Sequence, residues 1–399
     1  MKRIESADVI RGFSLYGILM ANLLIFQFGL SGKDHMEFYE LNTINEFLFK
    51  AVKVIFEGSF MPIFAILFGF SMDKLFESMK NKEMKWKRFK LLCRAIGILV
   101  IGFLHATYIW EGDILLAYGL AMLVSIIFIG LPSWFYKIIS GIIIVILLLM
   151  LGSGFLSSEI DEASTVSEAE TNEYMTELLT VYQTGTYGEI VDARENMEDP
   201  FYNEMMSEFK DSKGLFMILG LFMPALGFMF GINLSRSDWF QKDGAKFWNS
   251  ALYIWLIPVS IIMKSSIYWL NDETLASNLN LVFGLFLAFG LMSLMKLLYQ
   301  RYENNIIMTG MKNIGKLSLT MYILQSIFGT FVMYGYGIGM FGTNTVIFTV
   351  ILFTLFYVLQ LILATWYMKH FRYGPLEYLL RMVTYLRIRS RKWQNKTSK

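Results

Sequence analysis

Ten long apolar runs follow one another along this 399-residue sequence and constrain its fold more than any other feature. Runs of about 20 apolar residues cross a bilayer as helices. With 55% apolar and only 17% charged residues, the chain also lacks the polar surface that a soluble protein of this size needs. We therefore predict an all-α, polytopic membrane helix bundle. Its ten spans are roughly 9–30, 49–72, 95–110, 114–131, 137–156, 214–234, 247–270, 278–299, 314–334 and 344–368.

Lysine and arginine are distributed unevenly between the two sets of connections. The set that includes both termini carries 26 of them, and the opposite set carries six. Connections rich in lysine and arginine stay in the cytoplasm. The sequence therefore predicts a multi-pass protein of the cell membrane with both termini cytoplasmic.

The apolar runs divide the chain into four parts. Residues 1–156 form an N-terminal five-helix half, and 214–368 form a C-terminal five-helix half. Between them, 157–213 carries 15 acidic and three basic residues, and it predicts an acidic extracytoplasmic insertion of short amphipathic helices. The basic tail 369–399 predicts contact with lipid headgroups, and nothing else in the chain favours a nucleic-acid partner.

One hairpin concentrates ionisable groups in apolar sequence. His105 ends the third run, Gly112 turns the chain, and Glu111 and Asp113 flank that glycine. Ionisable groups in or beside a membrane segment are costly, so they indicate a functional site. We predict that His105 is catalytic and that Glu111 or Asp113 orients its ring.

Three other polar residues lie at a similar depth on other helices. Counting about 1.5 Å per residue along each helix places Asn22, Glu57 and Gln325 in the middle or outer half of the membrane, as it does His105. A lone Asn or Gln in a membrane often serves only to join two helices. Taken together, the four residues predict one central substrate-binding cavity.

A second polar set lies at the cytoplasmic ends of the spans: Asp8, Arg11, Arg94 and Lys316. The simplest interpretation is one ion pair together with basic side chains that reach the headgroups. The functional alternative is a basic mouth that binds the phosphates of a co-substrate.

The sequence lacks the motifs of nucleotide-binding proteins and of serine hydrolases. It contains no P-loop, no dinucleotide-binding glycine motif and no Gly-x-Ser-x-Gly elbow. Its three histidines are scattered and Cys93 is its only cysteine, so we predict neither a metal site nor an intrachain disulfide.

Five motifs together resemble the YeiB-like family of uncharacterised bacterial membrane proteins. They are Asp8-Val-Ile-Arg11-Gly12 leading to Asn22; Phe68-Gly69; His105 to Trp110 with Gly112-Asp113 and Tyr118; Gly315 to Ser326, with Tyr322 and Gln325; and Gly374-Pro375-Leu376-Glu377 with Arg381. Tyr118 and Tyr322 become further candidates for substrate binding.

That family is similar, more distantly, to transmembrane acyltransferases, including heparan-alpha-glucosaminide N-acetyltransferase. The similarity rests on the Asp-x-x-Arg-Gly start and on Asn22 near the outer end of the first span. In the acetyltransferase a catalytic histidine follows this Asn. The resemblance therefore implies His35, 13 residues after Asn22, as a competing base.

Two function classes follow. In the first, an acyltransferase moves an acyl group from cytoplasmic acyl-CoA to a small-molecule or glycan acceptor at the outer face. In the second, a transporter or exporter carries a charged or amphipathic solute. A structural or regulatory membrane protein is the third alternative. A homodimer is one possible assembly of the chain.

Overall fold

The computed structural model describes residues 3–156, 166–208, 213–241 and 252–386, and within these ranges all regular structure is helical. The helices are α1 (Glu5–Phe28), α2 (Thr43–Phe56), α3 (Phe60–Asn81), α4 (Lys87–Tyr108), α5 (Leu115–Phe128), α6 (Ser133–Leu156), α7 (Glu168–Thr184), α8 (Tyr187–Asn196), α9 (Pro200–Glu208), α10 (Lys213–Arg236), α11 (Leu252–Lys264), α12 (Glu273–Arg301), α13 (Ile306–Lys316), α14 (Ser318–Met333), α15 (Val346–His370) and α16 (Pro375–Tyr385).

The all-helical membrane architecture is confirmed, but the predicted count of ten spans is not. Six spans in the described ranges are long and apolar enough to cross a membrane, or seven if α13 and α14 form one broken span. The α5 helix, at 14 residues, is too short for that test. At about 1.5 Å per residue it is roughly 21 Å long, less than a typical hydrocarbon core.

Helix α1 is the most buried span and packs directly against the backbone of α13. A methyl group on Gly12 would lie 2.0 Å from the Met311 carbonyl oxygen, and one on Gly315 would lie 1.8 Å from the Asp8 carbonyl oxygen. Only glycine allows this approach, which is typical of membrane helix interfaces. Two motif glycines therefore join the first and ninth predicted spans.

A second crossing of the same kind joins α3 to α10. A methyl group on Gly69 would lie 2.0 Å from the Phe228 carbonyl oxygen, and one on Gly231 would lie 2.0 Å from that of Ile66. The Phe68-Gly69 motif thus has a packing role.

Two predicted spans are interrupted. The second breaks between α2 and α3, where Gly58 has a φ of 69° that favours glycine. The ninth bends by 92° between α13 and α14. Both breaks leave polar backbone groups near functional candidates.

The described chain ends and the acidic insertion lie on opposite sides of the bundle. Arg3 and Tyr385 line one cavity, so both described ends of the chain lie on the same side. We call this side the inner side, following the orientation that the basic residues predict. At the other side, the outer side, α7, α8 and α9 form the described part of the acidic insertion. Capping boxes of Ser167 with Glu170 and of Thr186 with Glu189 start α7 and α8.

Candidate functional site

The hairpin between α4 and α5 is held by its own polar groups. The Trp110 backbone N–H donates to the His105 carbonyl at 2.9 Å, which closes the end of α4. Asp113 Oδ2 accepts the backbone N–H of Leu116 at 2.7 Å and so caps the start of α5. The sequence from 105 to 116 therefore folds into a turn that fixes both His105 and Asp113.

His105 and Asp113 form a buried pair. His105 Nδ1 lies 2.8 Å from Asp113 Oδ1, and each side chain is 1% exposed. Because a carboxylate accepts, the proton of a neutral imidazole lies on Nδ1. The other nitrogen, Nε2, is buried and has no hydrogen-bond partner among the described residues. The ring is thus oriented as a general base would be.

Aromatic rings surround this histidine. The ring centroids of Tyr322 and Trp110 lie 5.3 and 6.5 Å from that of His105. The Tyr322 hydroxyl accepts the backbone N–H of Ile114 at 3.3 Å, which joins α14 to the hairpin. One turn further along α5, the Tyr118 hydroxyl donates to the Met61 carbonyl at 2.9 Å.

Asn22 and Gln325 are both buried, and each has a side-chain oxygen without a partner among the described residues. Gln325 Nε2 donates to Gln360 Oε1 at 2.9 Å, so this amide joins α14 to α15. Asn22 lies one turn before Phe26, whose ring centroid is 4.2 Å from that of Trp110. The Asn22 face of α1 is therefore turned toward the hairpin.

The remaining candidates have partners of their own. Glu57 lies at the α2–α3 break, with Oε1 2.8 Å from Lys33 Nζ. His35 lies in the loop after α1, where its ring stacks on Phe201 at 3.9 Å and Nδ1 lies 3.2 Å from Glu37 Oε1. His35 is thus held by its own loop and by α9 of the outer insertion.

The two carboxylates that flank Gly112 have different partners. Asp113 contacts the His105 ring, whereas Glu111 Oε2 lies 2.8 Å from Arg194 Nε of α8. The Tyr182 hydroxyl donates to Glu111 Oε1 at 3.3 Å. Of the two, Asp113 is the carboxylate that orients the imidazole.

At the inner side, Asp8, Arg11, Arg94 and Lys316 all line one cavity of about 430 Å³. Arg11 is held by Asp8, at 3.2 Å, and by the Ser71 hydroxyl. Arg94 and Lys316 make no hydrogen bond or ion pair within the described part of the chain. Arg381 adds further positive charge, whereas Lys74 is paired with Glu77 at 3.0 Å. Free cations beside apolar walls suit a phosphate-bearing, partly apolar molecule.

A line of side chains leads from this cavity toward His105. Phe68 and Met122 line the cavity, and the ring of Phe68 lies 5.2 Å from that of Tyr118. Met122 and Tyr118 are spaced by four along α5, and Ile114 lies four residues before Tyr118, just ahead of the helix, so the three share one face over roughly 12 Å. Tyr118 and Phe68 therefore lie on the line from the inner cavity toward His105.

In the described ranges, no group of three or more His, Cys, Asp or Glu side chains is arranged to hold a metal ion.

Two family models and two relatives match this chain. Residues 3–173 match the family described as heparan-alpha-glucosaminide N-acetyltransferase, catalytic, and residues 234–387 match a protein family of unknown function (DUF418). Uncharacterized protein YxaH of Bacillus subtilis (strain 168) is 24% identical over 398 residues, which cover 96% of this chain and 95% of that protein. Uncharacterized protein YeiB of Escherichia coli (strain K12) is 24% identical over 395 residues, covering 96% and 97%.

Over almost its whole length the chain is similar to YeiB and YxaH. The predicted family resemblance and the more distant similarity to the acetyltransferase are confirmed. The acetyltransferase match includes Asn22, His35 and the whole His105 hairpin, whereas the DUF418 match includes Lys316, Tyr322 and Gln325. The candidate site is therefore built from both matched regions.

Two residues that matter for the site, Arg194 and Glu377, are not predicted from the sequence. Arg194 is one of only three basic residues among 15 acidic ones in 157–213, and this contrast is the signal that could have identified it. Glu377 belongs to the Gly374-Pro375-Leu376-Glu377 motif, but the motif does not predict its role. Burial raises the pKa of the Glu377 carboxyl, whereas hydrogen bonds from Thr320 and Leu319 lower it, and burial is the larger effect.

Proposed function

We propose that this protein is an integral membrane acyltransferase that moves an acyl group from a cytoplasmic acyl-CoA to an acceptor at the outer face. The observation that carries the proposal is the buried His105–Asp113 pair, whose Nε2 has no partner among the described residues. The match of residues 3–173 to an acetyltransferase catalytic region supports the same reaction class.

In the proposed transfer, His105 Nε2 takes the proton from an acceptor hydroxyl or amine as the acceptor atom attacks the thioester carbonyl carbon. A new C–O or C–N bond forms, and the C–S bond breaks as the tetrahedral intermediate collapses. The CoA sulfur leaves as a thiolate and receives the proton from His105, which restores the neutral imidazole.

Developing negative charge on the thioester oxygen requires hydrogen-bond donors. Asn22 and Gln325 are the candidates, and Asn22 is the better one because Gln325 Nε2 already donates to Gln360. Asp113 stabilises the transient imidazolium and holds its tautomer.

The donor phosphates would bind Arg94 and Lys316 in the inner cavity. The thioester arm would then extend along the face of α5 that carries Met122, Tyr118 and Ile114. This path requires Tyr118 and Phe68 to turn aside, so we propose that donor binding and the opening of this aromatic barrier are coupled.

The test compares the two histidines in purified protein. With radiolabelled acetyl-CoA and a mixture of candidate acceptors, His105→Ala should reduce transfer by about 10²–10⁴-fold and leave the thermal midpoint near that of wild type. His35→Ala should have a milder effect. Full activity in His105→Ala would refute the assignment, and an inactive His35→Ala beside an active His105→Ala would move the base to His35.

A transporter is the second candidate, favoured by the 92° break between α13 and α14 beside the inner cavity. Discontinuous helices line the substrate sites of many transporters. Proteoliposomes distinguish the two classes, because a transporter would move an intact charged solute across the bilayer without consuming acyl-CoA.

A further inference from the structure

The outer insertion packs over the His105 hairpin through polar contacts. The Tyr187 hydroxyl of α8 donates to the Tyr108 carbonyl at 2.7 Å. The Gly335 N–H, just beyond α14, donates to the Tyr182 carbonyl at 2.9 Å. The insertion therefore forms a roof that joins the hairpin to the end of α14.

Beneath this roof lie four polar side chains, Trp110, Glu111, Arg194 and Tyr334, which we call the outer subsite. Trp110 and Tyr334 are fully buried, and the Arg194 side chain is 6% exposed. The Trp110 indole N–H and the Tyr334 hydroxyl have no hydrogen-bond partner among the described residues. Arg194 is paired with Glu111 and also contacts the Tyr182 hydroxyl.

Unpartnered groups of this kind are unusual, because buried polar atoms are nearly always hydrogen-bonded. The four side chains also adjoin one another. Arg194 Nε lies 2.8 Å from Glu111 Oε2, and its guanidinium carbon lies 5.6 Å from the centre of the Tyr334 ring. Glu111, Arg194 and Tyr334 therefore form one cluster, and Trp110 is the residue next to Glu111 in the chain.

The charge of the outer subsite selects the kind of ligand. Arg194 and Glu111 neutralise one another, so a charged ligand would enter a buried site that offers no net opposite charge. The Trp110 N–H is free to donate, and the Tyr334 hydroxyl is free to donate and to accept. Arg194 and Glu111, although paired with each other, have further N–H donors and carboxylate lone pairs. Aromatic rings, including Tyr182 at 4.9 Å from Tyr334, supply flat apolar walls.

From this juxtaposition we infer that the outer subsite binds a neutral group bearing several hydroxyls, as part of the acyl acceptor. Hydroxyls both donate and accept, which matches the mixed set of free atoms. The role of this group as the acyl acceptor rests on the proposed acyltransferase function, whereas its binding to the outer subsite does not. Trp110 belongs to the His105 hairpin, with ring centroids 6.5 Å apart, so a hydroxyl held here lies near the proposed base.

Binding is measured apart from catalysis, by scintillation proximity with purified protein. Three tritiated probes share one ring and differ in charge: methyl glucoside (neutral), glucuronate (anion) and glucosamine (cation). Wild type should bind methyl glucoside best. Trp110→Phe and Tyr334→Phe each remove one donor and keep a ring, and each should weaken this binding by roughly three- to tenfold.

Two further variants test the charge argument. Glu111→Gln leaves Arg194 without its counter-ion and should shift the preference toward glucuronate. Tyr336→Phe, which removes a hydroxyl that lies beside Thr330, is the matched control and should bind like wild type.

A wild type that prefers glucuronate or glucosamine would overturn the inference. So would the absence of binding by all three probes, which would mean that ordered water satisfies these atoms. Methyl glucoside binding without any acyl transfer would instead keep the outer subsite and refute the acyltransferase proposal.

Discussion

Glu377 accepts two hydrogen bonds from Thr320, one from its backbone N–H at 3.0 Å and one from its hydroxyl at 2.6 Å. A third comes from the Leu319 N–H at 2.7 Å. The N–H groups of Leu319 and Thr320 are the second and third backbone donors of α14. Leu317, the residue in the N-cap position, has no polar side chain that could accept them. A carboxylate from α16 therefore caps α14 across a distance of 57 residues or more in the chain.

Replacing this cap should destabilise the protein. We expect Glu377→Gln to cost about 1–2 kcal/mol, because the amide offers one acceptor oxygen and places an N–H₂ group against backbone donors. The thermal midpoint in detergent, followed by intrinsic fluorescence, should fall by about 2–6 °C. The exposed Glu40→Gln is the control, and equal midpoints in the two variants would contradict this role.

Asp113→Asn should separate orientation of the base from helix capping. The amide can still accept the Leu116 N–H, but it no longer stabilises a protonated His105. We expect transfer to fall by about 10²–10⁴-fold with little change in thermal midpoint. Asp272→Asn alters an equivalent cap at the start of α12, where Asp272 accepts the Leu275 N–H at 2.8 Å. Its activity should remain near wild type, and equal losses in both variants would assign Asp113 to capping alone.

Arg94→Gln should weaken donor binding more than it weakens the fold. Since Arg94 has no ion pair within the described residues, its loss leaves no buried carboxylate unpaired. We expect KM for acetyl-CoA to rise roughly tenfold with kcat nearly unchanged. Lys137→Gln, an exposed cation that does not line the inner cavity, is the control. An unchanged KM in Arg94→Gln would remove this residue from the donor site.

The α1–α13 contact predicts a steep cost for a single methyl group. Gly12→Ala would place a Cβ 2.0 Å from the Met311 carbonyl oxygen, so the helices must separate. We expect a loss of about 1–3 kcal/mol, measured as a lower thermal midpoint. Gly141→Ala in α6 is the matched control, because no described atom lies within 4 Å of its added methyl. A midpoint for Gly12→Ala that equals the control would show that this approach is not tight.

The sequence predicted the helical class, the helical acidic insertion and the family, because apolar length, charge distribution and motifs are all local properties. It did not predict that α5 is short or that α13 and α14 bend apart, since those features depend on packing. For the site, the hairpin motif placed His105 beside two carboxylates. The choice of Asp113 over Glu111 depends on Arg194, which lies 83 residues beyond Glu111 and becomes its neighbour only in the fold.

The glycine contact between α1 and α13 also limits how the inner cavity can change shape. Asp8 and Arg11 stand on α1, and Lys316 ends α13, so the direct backbone contact of the two helices makes these residues one rigid wall. Any change in the shape of the cavity must then come from the other elements that line it, among them α16 with Arg381 and α3 with Phe68. Because Glu377 ties α16 to the start of α14, a movement of α16 would also disturb the cap of α14.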